Sequence, residues 1–419
     1  MAIDSEPRQE DLTPGELEDY SLSGEEGGET QAGSDDPFFV SKKAAAVFKH
    51  KLLKTYFPKF AGKAGSTEAD KRLVYVDTHA GRGAYDDGTA GSPLLVAQDV
   101  AMMQQLRRID CFFVEARKSN YTHLDEVLTR NMPDGAHWHT RHGRASDHLQ
   151  EALTFAGDSP LFMFIDPYGL GPTFDEVVTV LNRPRSGYGR KTEVLLNFIS
   201  MAFSRAGGYL RRTEKSAQQV TTLERLDAVL GGDWWRVIYL ASESTGPAIQ
   251  AIALGYAERI QAKTNCFASL IPVRDRAHND PLYWLAHFTH HPDGVWWIRE
   301  SAAYASEAWR RHCSPPPPGD DNGLFSIEDP FITEEDARHA GWIDTIEQHA
   351  RALLRERGAI ELPRDALALF GPETYGQAWS KHLRGALARL HKEGILDPKP
   401  YANILDKYKG CRVQHSDQH

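Results

Sequence analysis

Unbroken apolar runs sit inside four strand-like segments of this chain: Leu73–Val76 within RLVYVD, Cys111–Val114 within DCFFVE, Leu161–Ile165 within LFMFID and Val194–Leu196 within TEVLLNF. A strand with one wet face alternates apolar and polar residues, so uninterrupted runs mark strands covered on both faces. The strands are expected at Arg72–Asp77, Asp110–Glu115, Leu161–Asp166 and Thr192–Phe198, with a further one near Trp138–Arg144. Helical patterns separate them at Ser92–Leu106, Ser119–Arg130, His148–Phe155 and Phe174–Asn182. Ser92-Pro93 reads as the cap and first turn of the first of these. Strands alternating with helices predict a parallel, doubly wound α/β sheet. Two later runs, Cys266–Val273 and Trp284–Thr289, are joined by RDRAHNDP with no helix, and predict an antiparallel hairpin that ends the sheet.

The rest of the chain is organised around that sheet. Residues 1–36 hold 12 Asp/Glu against one Arg, which accounts for the whole net charge of −10. So polar a segment cannot offset its ordering entropy and is expected to be a disordered acidic tail. It reads as a solubilising leader or as a mimic of nucleic-acid charge. The catalytic domain is expected over 37–312, opened by a helix at Ser41–Tyr56 and carrying a helical insertion at about 202–263 that lids or shapes the substrate side. Lys42, Lys43, Lys49, Lys51 and Lys54 give the opening helix a basic face, either simply solvated or tracking phosphate. A Pro-rich linker over 313–334 then leads to a domain at 335–419. There, Trp342–Arg355, Pro363–Leu369 and Gln377–Lys392 read as helices and ILDPKPYANIL as a small β wing, a winged-helix-like arrangement. Lys381, Arg384 and Arg389 on its last helix, with Lys407, Lys409 and Arg412 after it, are candidate phosphate contacts to DNA or RNA, or else part of a docking face.

No apolar run approaches a membrane span, and the N-terminus lacks a secretory layout, so a cytoplasmic location is expected. Cys111, Cys266, Cys313 and Cys411 are scattered with no CxxC pair, which fits reduced core thiols and argues against disulfides and a zinc site. No metal ligands are expected, and His287, His290 and His291 read as structural.

Chemistry concentrates in VDTHAGRGAYDDG, residues 76–88, directly after the first strand. An acid at the strand end, Asp77, precedes a glycine turn at Gly81 and Gly83. The third glycine of a pyrophosphate-binding loop is absent, which weakens a nicotinamide or flavin reading. S-adenosylmethionine has a carboxylate, an amine and a sulfonium but no phosphate, and suits such a turn. Glu115, ending the second strand, is placed to grip ribose hydroxyls, and Asp147, after the third, to reach the adenine amino group. The fourth strand ends in Asp166-Pro167-Tyr168-Gly169, an acid acceptor and an aromatic platform of the kind that polarises and stacks a methyl acceptor. Asn197 ends the fifth strand on the same rim. Parallel strands closed by an antiparallel pair are the methyltransferase version of the doubly wound, Rossmann-like fold. No GxxxxGK[ST] loop and no GxSxG elbow occurs.

Taken in order, FKHKLLKTYF, LVYVDTHAGRGAYDDGTAGSPL, FFVEARKSNY, LFMFIDPYGLGPTFDEVV and TEVLLNF resemble the three-Cys-motif partner protein family over about residues 40–310. The resemblance implies a class I methyltransferase-like domain with a C-terminal winged-helix-like segment. It also implies a cofactor site at Asp77, Gly81, Gly83 and Glu115, a reaction-side acid at Asp166, and pairing with a separate three-cysteine protein resembling radical-SAM enzymes. His79 departs from the family, which places an aromatic such as Phe there, and leaves that cofactor contact open. Three functions follow: methyl transfer to a nucleic-acid base or nucleoside, an accessory cofactor-binding partner of the three-cysteine protein, and methylation of a small molecule. Oligomeric state is not legible.

Overall fold

The computed structural model describes residues 37–85, 88–167, 169–186, 189, 191–276, 279–315, 329–396 and 411–414. The expected acidic tail, Tyr168, most of the Pro-rich linker, most of the wing string, and Lys407 and Lys409 lie outside these residues. Inter-residue contacts divide the chain into one unit that runs through Tyr56–His291 and a second that takes in Ala46–Thr55 and Pro292 onward.

In the first unit, β1 (Arg72–Asp77), β2 (Arg108–Glu115), β3 (Trp138–His142), β4 (Leu161–Ile165), β5 (Thr192–Ile199), β6 (Phe267–Val273) and β7 (Tyr283–Thr289) form one sheet. Its order is β3-β2-β1-β4-β5-β7-β6. The pairings of β1 with β2 and β4, β2 with β3, and β4 with β5 are parallel, and β7 runs antiparallel to both β5 and β6. This is the methyltransferase-type sheet, with its closing hairpin where the sequence predicts it. The interior residues of β1, β2 and β4 are buried along their whole length, as their unbroken apolar runs require. Helices α2 (Ser92–Met103), α3 (Lys118–Asn131), α4 (Ala145–Ala156) and α5 (Phe174–Leu181) connect the parallel strands. The opening helix, α1, is longer than its periodic stretch and spans Pro37–Ala64. Its Tyr56, Phe57 and Phe60 rings pack around Phe162 of β4.

The insertion folds as α6 (Ser200–Leu210), α7 (Ala217–Leu230), α8 (Trp234–Ala241) and α9 (Thr245–Thr264). It is part of the core: Leu226, Trp235, Ile252 and Tyr256 are buried in one cluster with Phe174 of α5 and with Leu196 and Phe198 of β5. Among the described residues no helix is long and apolar enough to cross a membrane. Cys111 and Cys266 are buried, whereas Cys313, also expected in a core, is exposed.

The second unit contains α10 (Pro292–Cys313), α11 (Pro330–Arg357), β8 (Ala359–Leu362), α12 (Ala366–Thr374), α13 (Ser380–Lys392) and β9 (Cys411–Gln414), with β9 antiparallel to β8. Sequence reading places α10 at the end of the catalytic domain, with a boundary at 312; the contacts put the boundary after His291. The reason is Trp296, whose indole is buried with Leu353, Phe370 and Leu387 of the C-terminal elements. Arg299, 0% exposed, reinforces this. Its guanidinium lies 3.6 Å from the centre of the Phe370 ring, donates to the Ala378 carbonyl at 2.6 Å and pairs with Glu300 at 2.7 Å. Glu300 in turn accepts from the Ser380 backbone N–H at 2.9 Å, satisfying one of the orphan donors at the start of α13. Removing the arginine leaves a buried carboxylate uncompensated, so Arg299→Ala is expected to cost about 3–5 kcal/mol. Urea denaturation followed by tryptophan fluorescence checks this, and an unchanged midpoint would show that the guanidinium does not hold α10 to α13.

Candidate active site

The turn after β1 is built by its own backbone donors. Four successive N–H groups each find an acceptor: Thr78 donates to the Phe164 carbonyl of β4 at 3.1 Å and His79 to Asp77 Oδ1 at 3.1 Å. Ala80 donates to the Val114 carbonyl of β2 at 2.9 Å and Gly81 to Glu115 Oε2 at 2.8 Å. Two strand-end carbonyls and two strand-end carboxylates therefore hold one loop across β2, β1 and β4. Gly81 and Gly83 take φ of +63° and +83°, the left-handed region in which a side chain is strained. A Cβ on Gly83 would also lie 3.2–3.3 Å from Leu124 and Val127 of α3.

Asp77 is 0% exposed, and its second oxygen accepts from Ser92 Oγ at 2.7 Å and from the Tyr75 hydroxyl at 3.4 Å. Ser92 is thus not the helix cap that its place before Pro93 predicts. The cap position of α2 is Gly91, without a side-chain cap, and the serine hydroxyl turns to the carboxylate instead. Gly91 donates its N–H to the Gly83 carbonyl at 3.0 Å, and a Cβ there would sit 2.9 Å from that oxygen. Thr78, Gly91 and Ser92 also shape this turn and were not among the expected site residues; for Gly91 and Ser92 the GSPL string was the signal. Glu115 is 4% exposed. Its Oε1 accepts from the Arg117 N–H at 2.8 Å and, weakly, from Asn120 Nδ2 at 3.5 Å. Burial pushes its carboxyl above the usual value, while the Arg117 and Gly81 N–H groups pull it back.

On the neighbouring strand ends stands a second polar group. Asp166 directly follows β4 and is half-buried. Asn197 of β5 donates from Nδ2 to Asp166 Oδ1 at 2.7 Å. Pro167 is buried, and a Cβ on Gly171 would lie 3.0 Å from its ring. His79 reaches toward the same place from the β1 turn. Its Nδ1 lies 2.9 Å from Thr78 Oγ1, and burial drives the imidazole down to about 4, with the nearby Asp166 charge opposing. These groups surround the junction of β1 and β4, where the order of an open parallel sheet reverses and ligands bind.

Asp147 is not on a loop after β3 but in the exposed first turn of α4, where it complements the helix dipole. On α13, Arg389 pairs with Asp344 and, at 3.3 Å, with Glu347, both on α11. Lys381 lies 4.3 Å over the Trp379 ring, and Arg384 is exposed. Among the described residues no group of three or more His, Cys, Asp or Glu is placed to hold a metal ion.

No family model matches the chain, so its resemblance to the three-Cys-motif partner family rests on the strings quoted above. No curated protein matches it either. Among solved structures it is similar to a geranyl diphosphate methyltransferase in complex with GPP and sinefungin, at 9% identity and a TM-score of 0.23, covering 60% of this chain and 78% of that one. A structure of that name in complex with SAM gives 10% identity and a TM-score of 0.23, covering 65% and 95%. Identity this low bears on fold alone, and such TM-scores add nothing to what the strand order already shows.

The His79 environment sets a pH dependence. The ring's ordinary value is 6.5 and its folded value about 4, so the unfolded chain takes up the proton first as pH falls. Stability tied to the neutral ring is complete above pH 6.5 and is lost as pH drops toward 4. Melting temperature should therefore fall less steeply in His79→Phe than in the parent across that window. Parallel profiles would mean that the imidazole is not held neutral.

Proposed function

We propose that the chain is an S-adenosylmethionine-dependent methyltransferase acting on a nucleic-acid base or nucleoside. The observation that carries this is the satisfied turn. A dinucleotide-binding loop keeps backbone N–H groups open for a pyrophosphate. Here the N–H groups from Thr78 to Gly81 are already engaged, two of them by carboxylates. Such a loop repels phosphate and suits an adenosyl ligand that has none.

The donor set fits that ligand. A carboxylate offers about four lone-pair sites; Glu115 uses two on well-formed N–H bonds and keeps capacity for ribose hydroxyls. Asp77, fully enclosed, acts on the ligand through the turn it shapes. A neutral His79 adds no repulsion toward a sulfonium cation. When bound, S-adenosylmethionine supplies an electrophilic methyl: a bond from the acceptor forms to carbon as the carbon–sulfur bond breaks, its electron pair staying on sulfur. Asp166, oriented by Asn197, is the group that accepts the proton the acceptor sheds, as a general base.

The second unit supports a polymer-bound acceptor. From α11 onward, its order of helix, strand, two helices and a strand paired back to β8 fits the winged-helix-like reading of the sequence. We assign contact with the nucleic-acid backbone to Lys381 and Arg384, with Arg389 the weaker contributor because α11 neutralises it.

Calorimetry with S-adenosylmethionine tests the cofactor half. Glu115→Ala is expected to weaken binding roughly 10–100-fold, the worth of a charged hydrogen bond. Asp166→Ala should leave affinity within about threefold while lowering methyl transfer by about 10²–10⁴-fold. If Glu115→Ala and Asp77→Ala both bind like the parent, the site is misassigned. Labelled cofactor incubated with separate DNA, RNA and metabolite pools tests the acceptor half. Label confined to metabolites would exclude the nucleic-acid reading.

A further inference from the structure

Asp166 is an acceptor only, so Asn197 must turn its amide nitrogen toward it; the opposite flip would set a carbonyl oxygen against a carboxylate oxygen. That choice fixes the other end of the amide. Asn197 is 7% exposed, and its Oδ1 is buried with no hydrogen-bond partner among the described residues. Its cross-strand neighbour is Leu285, and Leu196 and Phe198 flank it along β5, none of which has a side-chain donor. A buried carbonyl left without a donor is unusual in a folded protein. Here it adjoins the half-buried acid at the rim of the proposed site.

We infer that Asp166 and Asn197 together select a primary exocyclic amine of a nucleobase and stop after one methyl, an inference that rests on the methyltransferase reading. Two acceptors side by side match two N–H groups on one nitrogen and leave that nitrogen's lone pair for the methyl. A hydroxyl brings one hydrogen and a ring carbon none that would serve, so either leaves the Asn197 carbonyl unpaired. In the transfer the new bond is carbon–nitrogen, the bond lost is carbon–sulfur, and one N–H proton passes to the Asp166 carboxylate and on to water. The product keeps a single N–H, can satisfy one acceptor but not both, and is a poor substrate for a second round. Asn197 remains a hydrogen-bond acceptor throughout and is the specificity residue.

The test uses the full chain with its cofactor site saturated by S-adenosylhomocysteine, so that nucleosides report the acceptor site alone. Calorimetry compares adenosine with purine riboside, cytidine with uridine, and guanosine with inosine, each amine against a counterpart that lacks the amino group. For the accepted base the amine should bind at least about tenfold tighter, one well-formed hydrogen bond or more. Its N-monomethyl form should fall between the two. In Asn197→Leu the preference should shrink to within about twofold, with S-adenosylhomocysteine affinity unchanged as proof of folding. Asn197→Ser serves where the leucine variant does not fold. A preference that survives loss of Asn197, equal binding of the two members of every pair, or no nucleoside binding by a chain that binds S-adenosylhomocysteine overturns the inference while leaving the cofactor reading intact. Failure to bind S-adenosylhomocysteine at all defeats both.

Discussion

The hydrogen bond from the Gly81 amide to Glu115 is the contact on which the site depends. β1 and β2 are parallel neighbours, so their carboxyl ends lie side by side, and the loop leaving β1 must pass the acid that ends β2. Glu115 is nearly enclosed, and a buried carboxylate is tolerated only when donors meet it. The Gly81 and Arg117 N–H groups are those donors, and the chain turns away after the first through the left-handed φ of Gly81. Strand pairing, burial of the acid and glycine at 81 are thus one requirement seen at three levels. The loop is shaped before a ligand arrives, so binding does not have to supply its ordering entropy.

That arrangement divides the candidate site electrostatically. On the β1–β2 side the acids are clothed in backbone donors and Ser92 Oγ, which suits neutral hydroxyls. On the β4–β5 side Asp166 has a side-chain amide beside it and a histidine whose charge is suppressed. The His79 substitution, which departs from the aromatic expected of the family it resembles, is physically conservative. An imidazole held neutral by burial packs as a flat apolar ring and gains a contact with Thr78 Oγ1 that a phenyl ring lacks.

The sheet was legible because a parallel strand buried on both faces has almost no polar freedom. RLVYVD begins and ends where β1 does, and the helix-free RDRAHNDP connection gave the closing hairpin. The acids at the ends of β1, β2 and β4 followed from that register alone. What escaped were choices made in three dimensions. Ser92 before Pro93 has the local form of a helix cap, yet a buried carboxylate fifteen residues away competes for its hydroxyl and wins. Asp147 looked like a loop acid because β3 ends at His142 and α4 starts at Ala145, a turn too short to foresee. Helix α10 shows an apolar stripe that any core would accept; only Trp296 and Arg299 against Phe370 reveal which core does.

The same limit governs the charge on α13. Read along one helix, Lys381, Arg384 and Arg389 form a basic stripe of the kind that tracks phosphates. Arg389, however, meets Asp344 and Glu347 across 45 and 42 residues of sequence, so its charge is largely answered within the unit. A phosphate reaching it must displace carboxylates rather than water, which costs affinity and reduces the counterion release that drives such binding. The proposed phosphate contacts are therefore assigned to Lys381 and Arg384, in the N-terminal half of α13. There the Glu300 carboxylate accepts the Ser380 N–H, so the helix end is already satisfied by an acid of its own. The helix end itself then adds no anion site, and the proposed backbone contact rests on side chains alone.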